Sequence, residues 1–193
     1  MEPVKIVLLG DGGVGKTSIV TRYSTGVVPS TIKPTVGAAF VTKEIQIDGI
    51  DFELLIWDTA GQEAYRGLAP MYYRSAAIAI IVFDVSRPST YDSVSYWINE
   101  IKNNSESRPV LVVCANKVDS DENKFNSTQA AEIFAKDNNA IFIETSALTG
   151  LGIDRLFQTS VAKFYKENPV APATKVLPKS LEPPEQERKK GCC

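Results

Sequence analysis

The chain has 193 residues, with 21 Lys and Arg against 23 Asp and Glu, a formal charge of −2 and a pI near 5.3, a balance that argues against a basic nucleic-acid binder. At 44% hydrophobic and 9% aromatic it carries enough apolar side chain for one folded core, which excludes global disorder. The histidine count is 0, so Ser-His-Asp and Cys-His nucleophilic sites, His-ligated zinc and imidazole general bases are all excluded.

Residues 4–9 form a short apolar run, Gly10 to Gly15 is glycine-rich, and 16–24 can start a helix. The first run contains Lys5 and stops at Gly10-Asp11, so it is not expected to be a signal peptide. Residues 25–37, with Gly26, Pro29, Pro34 and Gly37, predict an irregular loop of the length usually reserved for function. Residues 38–47 and 50–58 are strand-like and joined by Asp48-Gly49, a strong hairpin signal. A two-residue turn there sets Phe40 opposite Trp57 on a polar face with Thr42, Glu44, Gln46, Asp51 and Glu53, while Val41, Ile45, Ile47, Phe52 and Ile56 take the other side. Glu44 then faces Glu53, a small like-charge penalty.

Apolar runs at 76–83, 110–115 and 140–143 alternate with helical spacing at about 90–103, 128–137 and 153–166. The expected fold is α/β: a six-stranded, mostly parallel sheet with one antiparallel edge hairpin and helices on both faces. The longest apolar run, 76–83, is far below the roughly 18 to 20 residues that span a bilayer. The division expected is a folded domain over 1–167 and an extended, disordered tail over 168–193, where five of the 11 prolines fall. Cys114 lies inside an apolar run and Cys192 and Cys193 are the last two residues, so no disulfide framework is expected and a reducing compartment is.

Four segments carry chemistry. Gly10-Asp11-Gly12-Gly13-Val14-Gly15-Lys16-Thr17 matches G-x-x-x-x-G-K-[ST] between a strand and a helix. Its backbone N–H groups can converge on phosphate oxygens, Lys16 can reach the β and γ phosphates, and the Thr17 hydroxyl can bind Mg2+. The strand 54–58 ends in Asp58, a carboxylate placed to hold the same magnesium from the far side. Asn116-Lys117-Val118-Asp119 follows a strand, where Asp119 can accept from both N1–H and the amino group of guanine, a pair that adenine lacks. Glu144-Thr145-Ser146-Ala147 follows the next strand and can offer a backbone N–H to guanine O6.

With these motifs in this order, residues 4–166 resemble the small GTPases of the Ras superfamily, and within it the Rab proteins. The resemblance implies a P-loop GTPase domain with Mg2+ and GTP or GDP bound by Asp11, Gly12, Gly13, Val14, Gly15, Lys16, Thr17, Ser18, Thr35, Asp58, Gly61, Asn116, Lys117, Asp119, Ser146, Ala147 and Leu148. Thr17, Thr35 and Asp58 would hold the metal. Thr35 and Gly61 would sense γ-phosphate, and Gln62 in Asp58-Thr59-Ala60-Gly61-Gln62-Glu63 would orient the attacking water. It further implies slow GTP hydrolysis, an effector patch of Phe40, Trp57 and Tyr72, and two prenyl groups on Cys192 and Cys193. Arg188, Lys189 and Lys190 would add attraction to anionic lipid. The partners implied are effector proteins, an exchange factor, a GTPase-activating protein, a prenylation escort and a GDP-dissociation inhibitor, with the monomer anchored by lipid on the cytoplasmic face of vesicle membranes and no nucleic acid bound. The segments 35–40 and 68–74 resemble the early-endosomal subgroup. Val28 and Ala64 depart from the family pattern, where an aromatic and an arginine are usual. A non-hydrolysing, GTP-dependent membrane scaffold is the alternative function.

Overall fold

The structure, a computed structural model, describes residues 2–61, 67–120 and 124–169. Gln62, Ala64, the tail beyond Pro169 and both terminal cysteines lie outside the described residues.

In chain order the elements are β1 (Glu2–Leu9), α1 (Lys16–Thr25), β2 (Ala38–Ile47), β3 (Ile50–Thr59), α2 (Ala69–Tyr73), β4 (Ile78–Asp84), α3 (Pro88–Asn104), β5 (Val110–Asn116), α4 (Lys124–Asp137), β6 (Ile141–Thr145) and α5 (Ile153–Glu167). The strands form one six-stranded sheet in the order β2-β3-β1-β4-β5-β6. Only β2 with β3 is antiparallel among the described pairs. Asp48 and Gly49 have φ of 51° and 79°, the positive values that a two-residue hairpin turn demands. Phe40 pairs with Trp57 and Glu44 with Glu53, the expected register, with a hydrogen bond of 2.8 Å from Gln46 to Asp51 on the same face. Inward-facing Phe52, Leu54 and Ile56 decide the alignment, because a slip of one residue would turn all three to solvent.

The two faces of the sheet carry separate cores. One packs Ile19, Val20 and Tyr23 of α1 and Leu156, Phe157 and Val161 of α5 against β1, β3, β4 and β5. The other packs Tyr73 of α2, Val94, Trp97, Ile98 and Ile101 of α3 and Ala131 and Ala135 of α4 against the opposite face. β4 and β5 are buried along their whole lengths, which is why both read as unbroken apolar runs rather than alternating ones. The five-residue α2 was not expected from the sequence; it is too short to show a helical period, and it is held by burying Ala69 and Tyr73.

Phe157 is fully buried and its ring stacks on Tyr23 at 3.8 Å between centroids and 12° between planes, joining α5 to α1. Phe157→Ala is expected to cost about 3 to 5 kcal/mol through lost burial and the cavity left behind. Denaturant unfolding of the wild type and variant at the same nucleotide concentration checks this; a loss under about 1 kcal/mol would contradict the packing described.

Candidate functional site

The strand order places β1 between β3 and β4, so the chain leaves the carboxyl end of β1 at the point where the sheet runs away to either side. That crevice is where open α/β sheets bind ligands. Residues 10–15 fill it, and the carboxyl ends of β3, β4, β5 and β6 bring Asp58, Asp84, Asn116 and Thr145 to the same edge.

Gly15 caps α1 with φ of 99°, a left-handed value that favours glycine, and a side chain there would also collide with the Asn116 amide. Gly61 approaches just as closely, so that a Cβ would run into Lys16 Nζ and the carbonyl of Asp11. Both positions therefore bring backbone near the space where phosphate would lie. Lys16 is 5% exposed and donates to the carbonyls of Gly10 at 2.7 Å and Asp11 at 2.9 Å. Burial pushes its ammonium down to about 8, against the opposing pull of Asp58 and Asp11. A phosphate would supply the negative charge that this buried cation lacks.

Across the cavity, Asp58 Oδ2 accepts from Thr17 Oγ1 at 2.7 Å and from Thr35 Oγ1 at 3.2 Å, and the two hydroxyls lie 2.9 Å apart. Asp58 Oδ1 is buried and has no hydrogen-bond partner. Burial raises the Asp58 carboxyl above its ordinary range, although the Thr17 hydroxyl, the Lys16 charge and the Thr35 hydroxyl all favour the ionised form. Three hard oxygen donors from three separate segments, one carboxylate oxygen among them left unsatisfied, fit a small divalent cation that keeps several waters and takes few protein ligands. Thr17, Thr35 and Asp58 would hold it. The surrounding cavity measures about 370 Å³ and is lined by Gly12, Gly13, Lys16, Thr17, Thr35 and Gly61 among others. A cleft of about 640 Å³ beside β6 is larger but contains none of these groups; chemistry rather than size marks the site.

The end of the site expected to meet the base is built from β5 and β6. The Asn116 amide donates to the carbonyl of Val14 at 2.9 Å and accepts from Thr145 Oγ1 at 3.0 Å and the backbone N–H of Ala147 at 3.4 Å. One buried amide thus ties the ends of β5 and β6 to the glycine-rich loop. Ser146 Oγ donates to Asp119 Oδ1 and accepts the N–H of Thr149 at 3.1 Å, which fixes the carboxylate beside the Ser146-Ala147-Leu148 turn. Leu148 is exposed, and its carbonyl accepts from Arg22 at 2.9 Å. Lys117 takes a φ of 68° and reaches over the loop to the Gly13 carbonyl at 2.8 Å and to Asp84 Oδ2 at 2.7 Å.

Every expected binding residue among those described lies at this edge, while Gln62 falls outside the described residues. Phe40, Trp57 and Tyr72 also come together, with ring centroids 5.1 Å apart for the first pair and 5.6 Å for the second. Phe40 is half exposed, and Leu68 and Met71, in the segment that carries Tyr72, also stand out into solvent. Val28 packs against the core beneath α1 and α5 rather than standing free. Two residues were not singled out from the sequence, Asp84 and Arg87, and Thr145 was read only as a member of its tetrapeptide. Asp84 carried a readable signal, a carboxylate closing a fully apolar strand at the ligand-binding edge; Arg87 carried none.

A sheet of this order, a glycine-rich loop with a buried lysine and a divalent-ready oxygen set define a P-loop nucleotide-binding domain. The Ras family model matches residues 5–166. The chain is 41% identical over 153 residues to Ras-related protein RabJ of Dictyostelium discoideum, covering 79% of this chain and 60% of that protein. It is 38% identical over 162 residues to Ras-related protein RABA2a of Arabidopsis thaliana, covering 84% and 75%. With Ras-related protein Rab-22A of Mus musculus it shares 37% identity over 193 residues, covering 100% and 99%. The chain belongs to the Ras family and, within it, to the Rab small GTPases.

Proposed function

We propose that this protein is a guanine-nucleotide switch that hydrolyses GTP slowly and recruits effectors to endosomal or vesicle membranes while GTP is bound. The observation that carries the reading is the convergence of the Thr17, Thr35 and Asp58 oxygens around an unsatisfied carboxylate oxygen, because Thr35 reaches it from a loop and not from a rigid element. A loop that completes the metal site only in one nucleotide state reports that state to the outside. Gly61, pressed against Lys16, would donate its N–H to γ-phosphate and couple the second loop to the same event. Bound Mg2+ would neutralise charge on the β and γ phosphates. Asp119 would select guanine, and Gln62 would position the attacking water.

Hydrolysis in this scheme is positioning and charge stabilisation without a covalent intermediate, which suits a chain with no histidine. Phe40, Trp57 and Tyr72, adjoining both loops, form the surface that effectors would read. Prenyl groups on Cys192 and Cys193 would supply two lipid chains, since one alone binds membranes only marginally. An exchange factor, a GTPase-activating protein, an escort and a GDP-dissociation inhibitor would then drive the cycle between membrane and cytosol. No described helix is long and apolar enough to cross a membrane.

Phosphate release by the purified protein with Mg2+ and GTP, beside Gln62→Leu and with ATP as control, tests the reading. Turnover of GTP at roughly 10⁻⁴ to 10⁻² per second is expected, with a clear fall in the variant and none with ATP. Tight GTP binding with no turnover in either protein would leave a scaffold in place of a timer.

A further inference from the structure

Asp84, at the end of β4, is 1% exposed, and four donors satisfy its carboxylate. Oδ1 accepts from the backbone N–H of Ser86 at 3.0 Å and its hydroxyl at 2.6 Å, while Oδ2 accepts from Arg87 Nε at 3.0 Å and Lys117 Nζ at 2.7 Å. Both cations continue to the glycine-rich loop. Arg87 Nη2 donates to the Gly12 carbonyl at 3.0 Å, and Lys117 Nζ to the Gly13 carbonyl at 2.8 Å. In a trans peptide the carbonyl and the following N–H point in opposite directions. A cation holding the Gly12 carbonyl from outside therefore turns the Gly13 N–H inward, and one on the Gly13 carbonyl does the same for Val14. These are N–H groups of the loop whose donors would converge on phosphate.

We propose that Arg87 is a positioning residue for nucleotide retention: anchored on Asp84, it holds the Gly12–Gly13 peptide with its N–H toward the phosphate, so that losing it speeds nucleotide release. The assignment rests on the guanine-nucleotide reading above. Arg87 suits the task because a planar guanidinium places two N–H donors on two acceptors at once, Nε on the carboxylate and Nη2 on the carbonyl, which a lysine cannot reproduce. The rest of this corner is tied to α3 as well, through Thr90 Oγ1 donating to the Arg87 carbonyl at 2.7 Å and Ser93 Oγ to Asp11 Oδ2 at 2.7 Å. Its side chain is 45% exposed while its anchor is buried, so the brace can be reached from solvent where the carboxylate cannot.

The test compares Arg87→Gln, Arg87→Lys and, as a surface control in the cleft beside β6, Arg155→Gln. Dissociation of fluorescent GDP is followed at fixed Mg2+, and the β-phosphorus resonance of bound GDP by 31P NMR. Arg87→Gln is expected to release GDP about tenfold faster, the size of one lost charge-assisted hydrogen bond, and to move the β-phosphorus resonance. Arg87→Lys should not restore either, and Arg155→Gln should match the wild type in both. Release from Arg87→Gln at the wild-type rate overturns the proposal, as does full rescue by lysine. Faster release with an unmoved β-phosphorus resonance also overturns it, since the residue would then serve general stability. Wild-type protein that retains no guanine nucleotide overturns this assignment together with the function on which it rests.

Discussion

Lys16→Met is expected to weaken GDP and GTP binding by between about 30-fold and about 5,000-fold, the range for removing one partner of a buried charge pair. Methionine keeps most of the stem's volume, so the apolar packing around a residue that is 5% exposed is largely retained while the charge is lost. The pH dependence follows from the same group. In the nucleotide-free protein the ammonium is held down to about 8, and phosphate favours the charged form, so binding takes up a proton wherever the free lysine is neutral. Affinity should therefore be fully present well below pH 8 and fall by about tenfold per pH unit above it, until the pKa of the bound state is reached. Equilibrium titration with fluorescent GDP at fixed Mg2+ from pH 7 to 10 measures both effects. A methionine variant with unchanged affinity would remove Lys16 from the phosphate site, and a flat profile in the wild type would show that its charge is not what the phosphate meets.

The second large effect is a change of base. Asp119→Asn exchanges an acceptor pair for one acceptor and one donor, so guanine loses the partner of either its N1–H or its amino group. Losing one charge-assisted hydrogen bond worth about 1.5 to 3 kcal/mol should lower GDP affinity by about 10-fold to 150-fold. Xanthine carries a carbonyl in place of that amino group and should gain what guanine loses. Ser146 can still donate to the amide oxygen, so the turn that holds residue 119 is expected to survive the exchange. Competition of fluorescent GDP with GDP, XDP and ADP reads the outcome directly. A variant that still prefers guanine over xanthine would mean that Asp119 does not face the base edge.

Much of the architecture is visible in the chain because its signals are local. The hairpin register follows from Asp48-Gly49 and the alternation around it, and the buried strands announce themselves as apolar runs that need covering on both sides. The phosphate loop is legible for the same reason, since its donors come from consecutive residues with the strand before and the helix after. Helix α2 is not legible, because five residues cannot show a period of 3.6. Lys43 shows a different limit. It lies on the inner side of β2, where its ammonium caps the ring of Tyr23 at 3.7 Å and donates to the Tyr23 carbonyl, a placement that a polar and apolar count cannot foresee.

The site divides along the same line. The sequence by itself determined which short segments carry the candidate ligand groups: a glycine-rich loop with Lys16 and Thr17, a strand-end Asp58 and, after β5, Asp119, each recognisable because its chemistry resides in one short segment. Only the tertiary structure decided how those segments are held. That Asp84 collects Arg87 and Lys117 and through them grips Gly12 and Gly13, that Thr145 and Ala147 orient Asn116 onto Val14, and that Thr17, Thr35 and Asp58 leave one carboxylate oxygen unsatisfied are facts about residues distant in sequence. Such contacts are set by where the strands end in the sheet, and hydrogen bonds of about 3 Å between them carry no spacing that a linear chain can display.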